Sequence, residues 1–534
     1  MKKISLIFIT ILVLFSTSAS ARDGKSLFEK NCIYCHSLER VLIRKKTREG
    51  WRRTVMRMAS YTFGRMSSDN IEMIAQYLAS TSGLSGSLSD REKEMALITN
   101  REDSEVLDFK KVKLNQFLDP KFCEGCHAEI YEMWNGSMHS KAFLNPLWQS
   151  ATKLFVSEIS TPGEILEMRT CVKCHTPLGF RSYQISHPED DFDRVPELPA
   201  QGVFCNWCHN ISEVKHIGDA RYEIDPGGGE ENPSTMLGPY KDAYSNVHPT
   251  KYSELHTRSE FCGLCHNVSH AINRLPIEMT YDEWKNSPYN TGDPETTVSC
   301  QDCHMRQRPG IPSTGKTARL DNPGKSSKYG PRRKHVWTHY FVGANAIITK
   351  QFRSITHAEM AVQNLKHAAD LEIIKNATYR RKETASIYIK VTNSGAGHYL
   401  PTGLTAIRQM WLHVKVSDSA GKVLLQSGEL DEQGGLEKNT VVYHTVLGNN
   451  KGEPTINIAK AAQILHDHRI PPKGHITENF TFNIPSDAES PLLIEAILKY
   501  RSISKPLAQE LMADKTQDVP VIIMVSDFKS IDFQ

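Results

Sequence analysis

The chain has 534 residues, and its 64 lysines and arginines nearly balance its 61 aspartates and glutamates, for a net charge of +3. A balance this close to neutrality gives no electrostatic reason to expect nucleic-acid binding. The length suffices for roughly three domains.

The first 21 residues predict a secretory signal peptide. Lys2 and Lys3 precede an apolar run over residues 4–15, and Ala19 and Ala21 lead to a cleavage site before Arg22. The apolar run is shorter than the ~20 residues that span a bilayer, and no later segment qualifies. We therefore expect a periplasmic or extracellular protein without a membrane span.

All 12 cysteines lie in one repeated pattern, Cys-x-x-Cys-His. The pattern occurs at Cys32, Cys35 and His36; at Cys123, Cys126 and His127; at Cys171, Cys174 and His175; at Cys205, Cys208 and His209; at Cys262, Cys265 and His266; and at Cys300, Cys303 and His304. Chance would supply about 0.01 such matches in a chain of this composition, so the repetition has a chemical reason.

The pattern is typical of c-type haem attachment. Two thiols add to the vinyl groups of haem, and the adjoining imidazole becomes the proximal iron ligand. Disulfides or zinc sites would account for paired cysteines, but not for a histidine directly after every second cysteine. We predict six covalently bound haems with their iron.

Composition divides the chain after the leader into four regions. Residues 22–83 hold one motif and predict a monohaem cytochrome c domain, and residues 84–118, rich in Ser and Gly at their start, predict a linker. Residues 119–370 hold five motifs among loops rich in Gly and Pro. Residues 371–534 lack cysteine, and their alternating β-branched runs predict a β-sandwich.

The expected fold is therefore multidomain. Mainly α-helical and irregular haem-wrapping domains precede a C-terminal β-sandwich. We expect a helix over residues 357–375 to join the five-motif region to this sandwich.

The first haem is expected to have a methionine as its sixth ligand. No histidine lies between His36 and His127, whereas Met56, Met58 and Met66 are available. Met58 is favoured because it shortly precedes the last helix predicted in this region. Methionine ligation raises the reduction potential, although a core methionine is the alternative interpretation of Met58.

The other haems are expected to take histidines as distal ligands. If residues 128–138 are helical, His139 lies roughly 18 Å along the axis from His127, so we expect it to ligate a neighbouring haem. A hydrogen-bonded surface histidine is the alternative. The candidate distal ligands are His139, His248, His256, His339 and His398; His270 is a further candidate, and His216, His335 and His357 stay open.

Two stretches are strongly basic, residues 40–57 and residues 306–334. A solvated face and a flexible loop are one interpretation. The other is a docking surface for an acidic redox partner, whose encounter rate such charge would raise.

Several motifs resemble known cytochromes. FCEGCHAEIYEMWNGSMHSKAF at residues 122–143 resembles the first haem segment of the tetrahaem cytochrome c-554 family, and YDEWKNSPY and SCQDCHM resemble segments of multihaem cytochromes of anaerobic respiration. GAGHYLPTG resembles part of the β domain fused to some of them. Residues 22–83 resemble a monohaem cytochrome c with a Trp51, Val55 and Met58 core.

The resemblance implies closely packed haems that relay electrons, and it gives no substrate. The leading hypothesis is a hexahaem carrier between redox partners in bacterial anaerobic respiration. One alternative is a reductase or oxidase of a small nitrogen or sulfur oxyanion at a five-coordinate haem. Another is a subunit of an extracellular cytochrome filament, so whether the protein is an enzyme stays open.

Overall fold

The computed structural model describes residues 24–31, 48–60, 66–82, 110–159, 162–185, 190–375, 378–512 and 519–534. It divides into two compact units, residues 1–101 and residues 102–534. The predicted signal peptide, the first haem motif with Cys32, Cys35 and His36, and most of the predicted linker lie outside the described residues. So does the side chain of Met58.

The described residues of the first unit are almost all helical. They form α1 (Arg48–Ser60), α2 (Ser68–Ser82) and a helical segment at residues 24–31. Trp51 and Val55 of α1 pack with Phe28, Ile74 and Leu78 in a small apolar core. The Ser67 hydroxyl accepts from the Asn70 amide at 3.2 Å, as an N-terminal cap does.

The second unit begins with short helices that carry the motifs. They are α3 (Pro120–Asn135), α4 (Pro146–Ser157), α5 (Pro162–His175), α6 (Pro177–Arg181), α7 (Glu197–Ala200), α8 (Cys205–Cys208), α9 (Ser259–Gly263), α10 (Thr280–Lys285), α11 (Cys300–His304), α12 (Ala346–Gln351) and α13 (Ile355–Lys366), and α14 (Lys505–Leu511) follows later. Short 3-10 turns lie at Leu114–Gln116, Phe192–Arg194, Glu254–Thr257 and Ile458–Lys460.

Local sequence signals start these helices. The carboxylate of Asp119 accepts from the Lys121 amide at 2.8 Å, and Pro120 occupies the first turn of α3, where no amide proton is needed. Ser299 and Asp302 form a reciprocal capping box at α11. The caps therefore fix the helical turns on which two of the motifs lie.

Small two-stranded ladders link these helices. They pair β1 (Ile211–Val214) with β2 (Tyr222–Ile224), β3 (Met236–Gly238) with β4 (Thr250–Tyr252), β5 (Val268–Ser269) with β6 (Pro276–Glu278), and β7 (Gly324–Lys325) with β8 (Arg332–Arg333). The β3–β4 ladder is parallel and the others are antiparallel.

The C-terminal part is a β-sandwich, as predicted. One sheet has the order β16-β10-β9 and the other β12-β11-β17-β18, with β13 paired to β11. The strands are β9 (Asp370–Lys375), β10 (Thr384–Thr392), β11 (Gln409–Ser417), β12 (Val423–Ser427), β13 (Val442–Tyr443), β14 (Thr445–Gly448), β15 (Gln463–Asp467), β16 (His475–Asn483), β17 (Leu492–Arg501) and β18 (Ile522–Ile531). Alternate residues of β10, such as Ile387 and Ile389, are buried against those of β11, such as Leu412 and Val414.

The helix predicted over residues 357–375 is only partly present. Helix α13 ends at Lys366, and Asp370–Lys375 forms strand β9, which pairs with β10. Burial alternates along β9: Ile373 is fully buried in the sandwich core and Leu371 is partly buried, whereas Glu372 and Ile374 are exposed. The period-2 pattern therefore prevails over the helical one in the last third of that segment.

No helix in the described part of the chain is long and apolar enough to cross a bilayer.

Candidate haem sites

Five of the six motifs lie in the described residues of the second unit, and we name each site by its proximal histidine. The ten cysteines of these motifs are free thiols. Burial raises the pKa of Cys171, Cys208 and Cys303 to about 12 each, so these thiols are neutral at pH 7. The structure pairs none of these ten described cysteines in a disulfide.

The proximal imidazoles are oriented by hydrogen bonds from Nδ1. In four of the five described sites Nδ1 faces a main-chain carbonyl, which can only accept, so Nδ1 carries the proton. The pairs are His127 with Ser326 at 2.6 Å, His175 with Ala142 at 2.8 Å, His209 with Leu237 at 2.6 Å and His304 with Val342 at 3.2 Å. This tautomer leaves Nε2 as the nitrogen that can bind iron.

His266 has a different acceptor. Its Nδ1 lies 3.2 Å from the carboxylate Oε1 of Glu278, the last residue of β6. The pairing of β5 with β6 places Glu278 opposite Val268, close to the motif. Burial would lower the pKa of His266, but the hydrogen bond and the charge of Glu278 outweigh it and raise that pKa. The sequence offered no signal for Glu278, because it lies twelve residues beyond the motif.

Three of the predicted distal histidines face a proximal histidine across a gap. The ring centroids are 6.5 Å apart for His127 and His248, 6.4 Å for His209 and His339, and 6.2 Å for His266 and His139. An iron between two Nε2 atoms, with bonds of about 2 Å each, requires a centroid separation of about 6 Å. The described gaps are therefore the right width for an iron with two axial imidazoles.

Burial and neighbouring imidazoles keep two of the opposing histidines, His139 and His339, neutral. Burial is the main cause that lowers the pKa of His139 to about 3, and the electrostatic effect of the neighbouring His266 is the second cause. Burial, with His209 as the second cause, also lowers the pKa of His339 to about 3. A neutral imidazole is the form that binds a metal.

His398 lies close to His304. Burial lowers the pKa of His304 to about 4, and the electrostatic effect of His398 lowers it further. Nδ1 of His398 donates to the Tyr399 carbonyl at 2.9 Å, which leaves its Nε2 free to bind iron. The loop at the edge of the β-sandwich therefore brings a histidine to the last of the five motifs.

His256 lies in a different position from the other predicted distal ligands. Its ring stacks on that of His209 at 5.6 Å and 13°, Nδ1 lies 2.9 Å from the Ser253 hydroxyl, and Nε2 lies 3.2 Å from the Cys208 carbonyl. Both ring nitrogens of His256 therefore have polar partners within the protein. The neighbour that faces His209 across a gap is His339.

The further candidates are also held by the protein. Both ring nitrogens of His357 have partners, the Ser354 hydroxyl and the Met133 carbonyl, each at 2.7 Å. Nε2 of His270 faces the Ala459 carbonyl at 3.4 Å, and its Nδ1 accepts from the amide of Ile272. These contacts leave neither histidine available as a ligand.

The His175 site lacks such a partner. Trp148 stacks on His175 at 4.4 Å and 8°, and among the described residues no second imidazole forms a ring contact with it. Burial is the main cause that lowers the pKa of His175, and the histidine that contributes is His266 of the adjacent site. Sequence reasoning did not single out this difference, because its motif is the same as the others.

Thiols of different motifs lie near one another. A neighbouring thiol is the first cause that raises the pKa of Cys205 (Cys123), of Cys174 (Cys265) and of Cys262 (Cys300). Burial also raises the pKa of these three thiols. The His127 site is therefore next to the His209 site, and the His266 site is next to both the His175 and the His304 sites.

These residues fit covalently bound c-type haem. Free thiols lie beside imidazoles whose Nε2 is left for a metal, and three imidazole pairs have the separation that a bis-histidine iron requires. In the part of the chain that the structure describes, no group of three or more His, Cys, Asp or Glu side chains could instead hold a metal ion on its own.

Comparison with known proteins gives the same class. Residues 22–131 match the family described as quinohemoprotein amine dehydrogenase A, alpha subunit, haem binding, and residues 122–210 match the family described as cytochrome c554 and c-prime. No curated protein matches the chain significantly.

Solved structures add a likeness of fold. A penta-heme cytochrome c552 from Thermochromatium tepidum is similar at a TM-score of 0.54 and 18% identity, over 78% of this chain and 100% of that chain. The CARDB domain of a Pyrococcus furiosus protein, in complex with di-metal ions, matches 31% of this chain and 87% of its own at 11% identity. Its TM-score of 0.15 is too low to carry an argument.

The repeated attachment segments and the haem-wrapping fold define a c-type cytochrome with several haems. The protein is a multihaem c-type cytochrome, with one region similar to the quinohemoprotein amine dehydrogenase haem-binding family and another similar to cytochrome c554. This class is consistent with electron transfer.

Proposed function

We propose that the protein is a hexahaem carrier that relays electrons between redox partners in bacterial anaerobic respiration, in the periplasm or outside the cell after its signal peptide is removed. The observation that carries the proposal is the set of imidazole pairs spaced for six-coordinate iron, two of which are neighbours because Phe341 packs against both His139 and His339. Bound haem supplies reversible one-electron chemistry.

The chain's own residues account for how such a relay would be built. Nδ1 hydrogen bonds hold each proximal imidazole in one orientation, and burial keeps the opposing imidazoles neutral. A histidine on both sides of the iron leaves no position for a substrate, which suits a carrier rather than an enzyme.

The domain organisation follows from the motifs. We assign residues 22–83 to a monohaem domain with His36 and Met58 as ligands, 84–118 to a linker, 119–370 to the pentahaem domain and 371–534 to the β-sandwich. The distal ligands proposed for the pentahaem domain are His139, His248, His339 and His398. The sandwich thus contributes one ligand, on the loop that holds His398.

Haem counting tests this proposal directly. Protein matured in a host that attaches c-type haem is expected to show the mass of six haems, and the double variant Cys171→Ser/Cys174→Ser is expected to lose one of them. Redox titration followed by visible absorbance should then show every haem cycling reversibly. A wild-type mass with fewer than six haems, or haems that cannot be reoxidised, would contradict the proposal.

The second candidate function is reduction or oxidation of a small nitrogen or sulfur oxyanion. The observation that favours it is the His175 site, where the described residues place no imidazole opposite the proximal one. An iron with an open position there would bind an external ligand.

Carbon monoxide separates the two functions. If the His175 site is open, one ferrous iron per protein binds carbon monoxide, and a high-spin band disappears as it binds. If no iron binds carbon monoxide, the site is closed by a ligand and the enzyme hypothesis fails, whereas the carrier hypothesis stands.

A further inference from the structure

The hairpin β7–β8 is fixed against the His127 site by main-chain contacts. The Ser326 carbonyl accepts the Nδ1 proton of His127 at 2.6 Å, and the Lys328 amide donates to the Cys126 carbonyl at 2.7 Å. The hairpin therefore covers the proximal side of this haem site and cannot move without moving the imidazole.

The opposite side of the same site is formed by the loop over residues 241–248. This loop ends at His248, whose ring faces His127. Arg333 of the hairpin joins the two sides, because its guanidinium lies 2.8 Å from the Asp242 carboxylate and 3.9 Å from the Tyr240 ring centroid. Hairpin and loop therefore form one continuous surface at the His127 site.

Large aromatic side chains are exposed on this surface. Tyr329 of the hairpin is 79% exposed and Tyr244 of the loop 84% exposed. Tyrosine is enriched at protein–protein interfaces, where it buries a large ring and keeps a polar group at the rim. An exposed tyrosine on either side of a single haem site is typical of a surface that binds another protein.

The charge on the surface is positive. Lys325, Lys328 and Arg332 are exposed on the hairpin. Two acidic side chains beside the hairpin are already paired, Asp242 with Arg333 at 2.8 Å and Asp321 with Lys334 at 3.2 Å. The excess of positive charge therefore remains available to a partner, and it would raise the rate of encounter with an acidic protein.

We propose that the hairpin β7–β8 and the loop over residues 241–248 form the docking surface for a negatively charged redox protein, which exchanges electrons at the His127 site. This proposal rests on the proposed carrier function and names the place and the charge of the partner.

The test measures how fast an acidic flavodoxin in its hydroquinone form reduces the full-length holoprotein by stopped flow. The wild-type rate is expected to fall steeply with ionic strength. The triple variant Lys325→Glu/Lys328→Glu/Arg332→Glu is expected to lower the rate at least about 10-fold at low salt and to approach wild type at high salt.

Two controls separate docking from other effects. The triple variant Lys375→Glu/Lys438→Glu/Lys451→Glu makes the same change of net charge on exposed residues of the β-sandwich, and it should lower the rate much less. Reduction by dithionite, which needs no docking protein, should be equally fast in all three proteins. Failure of dithionite to reduce the wild-type haems would argue against the carrier function instead.

Binding without electron flow gives an independent measurement. Calorimetry with oxidised flavodoxin should show the affinity weakened by the hairpin triple variant and, to a smaller extent, by Tyr244→Ala, which lies outside the ladder and spares its fold. Equal losses of rate in both triple variants, unchanged affinity in all variants, or faster reduction by a basic redox protein would overturn the proposal.

Discussion

The His175 and His266 sites lie against each other, since the thiols of Cys174 and Cys265 are in contact, yet their surroundings differ. His266 has His139 across from it and a carboxylate, Glu278, on its Nδ1. His175 has a carbonyl on its Nδ1 and no imidazole opposite it among the described residues. The same five-residue motif therefore fixes where haem attaches but not what completes the iron's coordination.

The two sites also share a loop. His139 faces His266, and three residues later the Ala142 carbonyl accepts the Nδ1 proton of His175. This loop is held in turn by Val203, whose amide donates to the His139 carbonyl at 3.0 Å. Neighbouring haem sites therefore depend on one short stretch of chain, and variants of it can tell which features belong to which site.

Removal of His139 should have the largest effect. In His139→Ala the iron of the His266 site loses its sixth ligand, so that one haem converts fully to the high-spin form and binds carbon monoxide. Electron paramagnetic resonance and carbon monoxide titration measure both changes. His256→Ala serves as the control, since the engaged nitrogens of His256 predict unchanged spin states. If every haem of His139→Ala stayed low-spin, the pairing of His139 with His266 would be contradicted.

Substitution of Gly202 tests the shared loop. Its φ of +66° and its position, where a Cβ would lie 2.5 Å from the His139 carbonyl oxygen, should make Gly202→Ala cost about 2–3 kcal/mol. The optical spectra of both neighbouring haems should shift. In Gly310→Ala, where φ is +82° and a Cβ would meet nothing within 4 Å, only about 1 kcal/mol of backbone strain is expected. Equal changes in Tm would show that the loop does not depend on this contact.

A buried carboxyl on α5, the helix that carries the His175 motif, should make stability depend on pH. Burial raises the pKa of Glu167 to about 7, above its value in the unfolded chain. The unfolded state therefore ionises first as pH rises from about 4.5, and the folded state loses up to about 3 kcal/mol by pH 7.

Glu167→Gln removes that loss. The variant should have a higher Tm than wild type at pH 8 and an equal one at pH 4. Glu164→Gln on the same helix, at a partly exposed position, is the matched control and should shift Tm little. A Tm difference that does not change with pH would contradict the assignment.

The smallest expected effect concerns Glu278. Its negative charge beside His266 favours the ferric state, so Glu278→Gln should raise the potential of that haem by about 60 mV, the equivalent of about 1.4 kcal/mol for one electron. Redox titration should resolve the change at one haem. The control is Glu260→Gln. The carboxylate of Glu260 accepts from Arg258 and not from an imidazole, so this variant should leave the haem potentials unchanged. A shift shared by both variants would point to general charge rather than to this hydrogen bond.

Much of this architecture follows from the sequence. The motif spacing predicts the cysteines and the proximal histidines, and alternating residues such as Ile387 and Ile389 predict the sandwich strands. The helix predicted beyond Lys366 was wrong, because a strand pairing with β10 cannot be recognised from local periodicity alone.

The distal histidines show more clearly what cannot be predicted from the sequence. His248 and His256 lie eight residues apart before the same motif, and both appear suited to bind iron. The fold turns the first towards His127 and stacks the second on His209. Which imidazole faces a proximal histidine is decided by tertiary contacts such as that of His256 Nε2 with the Cys208 carbonyl, and the spacing of residues in the sequence does not predict such contacts.

The carbonyl of Ser326 has a consequence for any partner that presses on the hairpin. Because it holds the proton of His127 directly, a displacement of the hairpin would lengthen that hydrogen bond and make the imidazole a weaker donor to iron. Complex formation would then shift the redox equilibrium of the haem at the His127 site before an electron moves, so that the affinity of the bound protein would depend on whether this haem is oxidised or reduced.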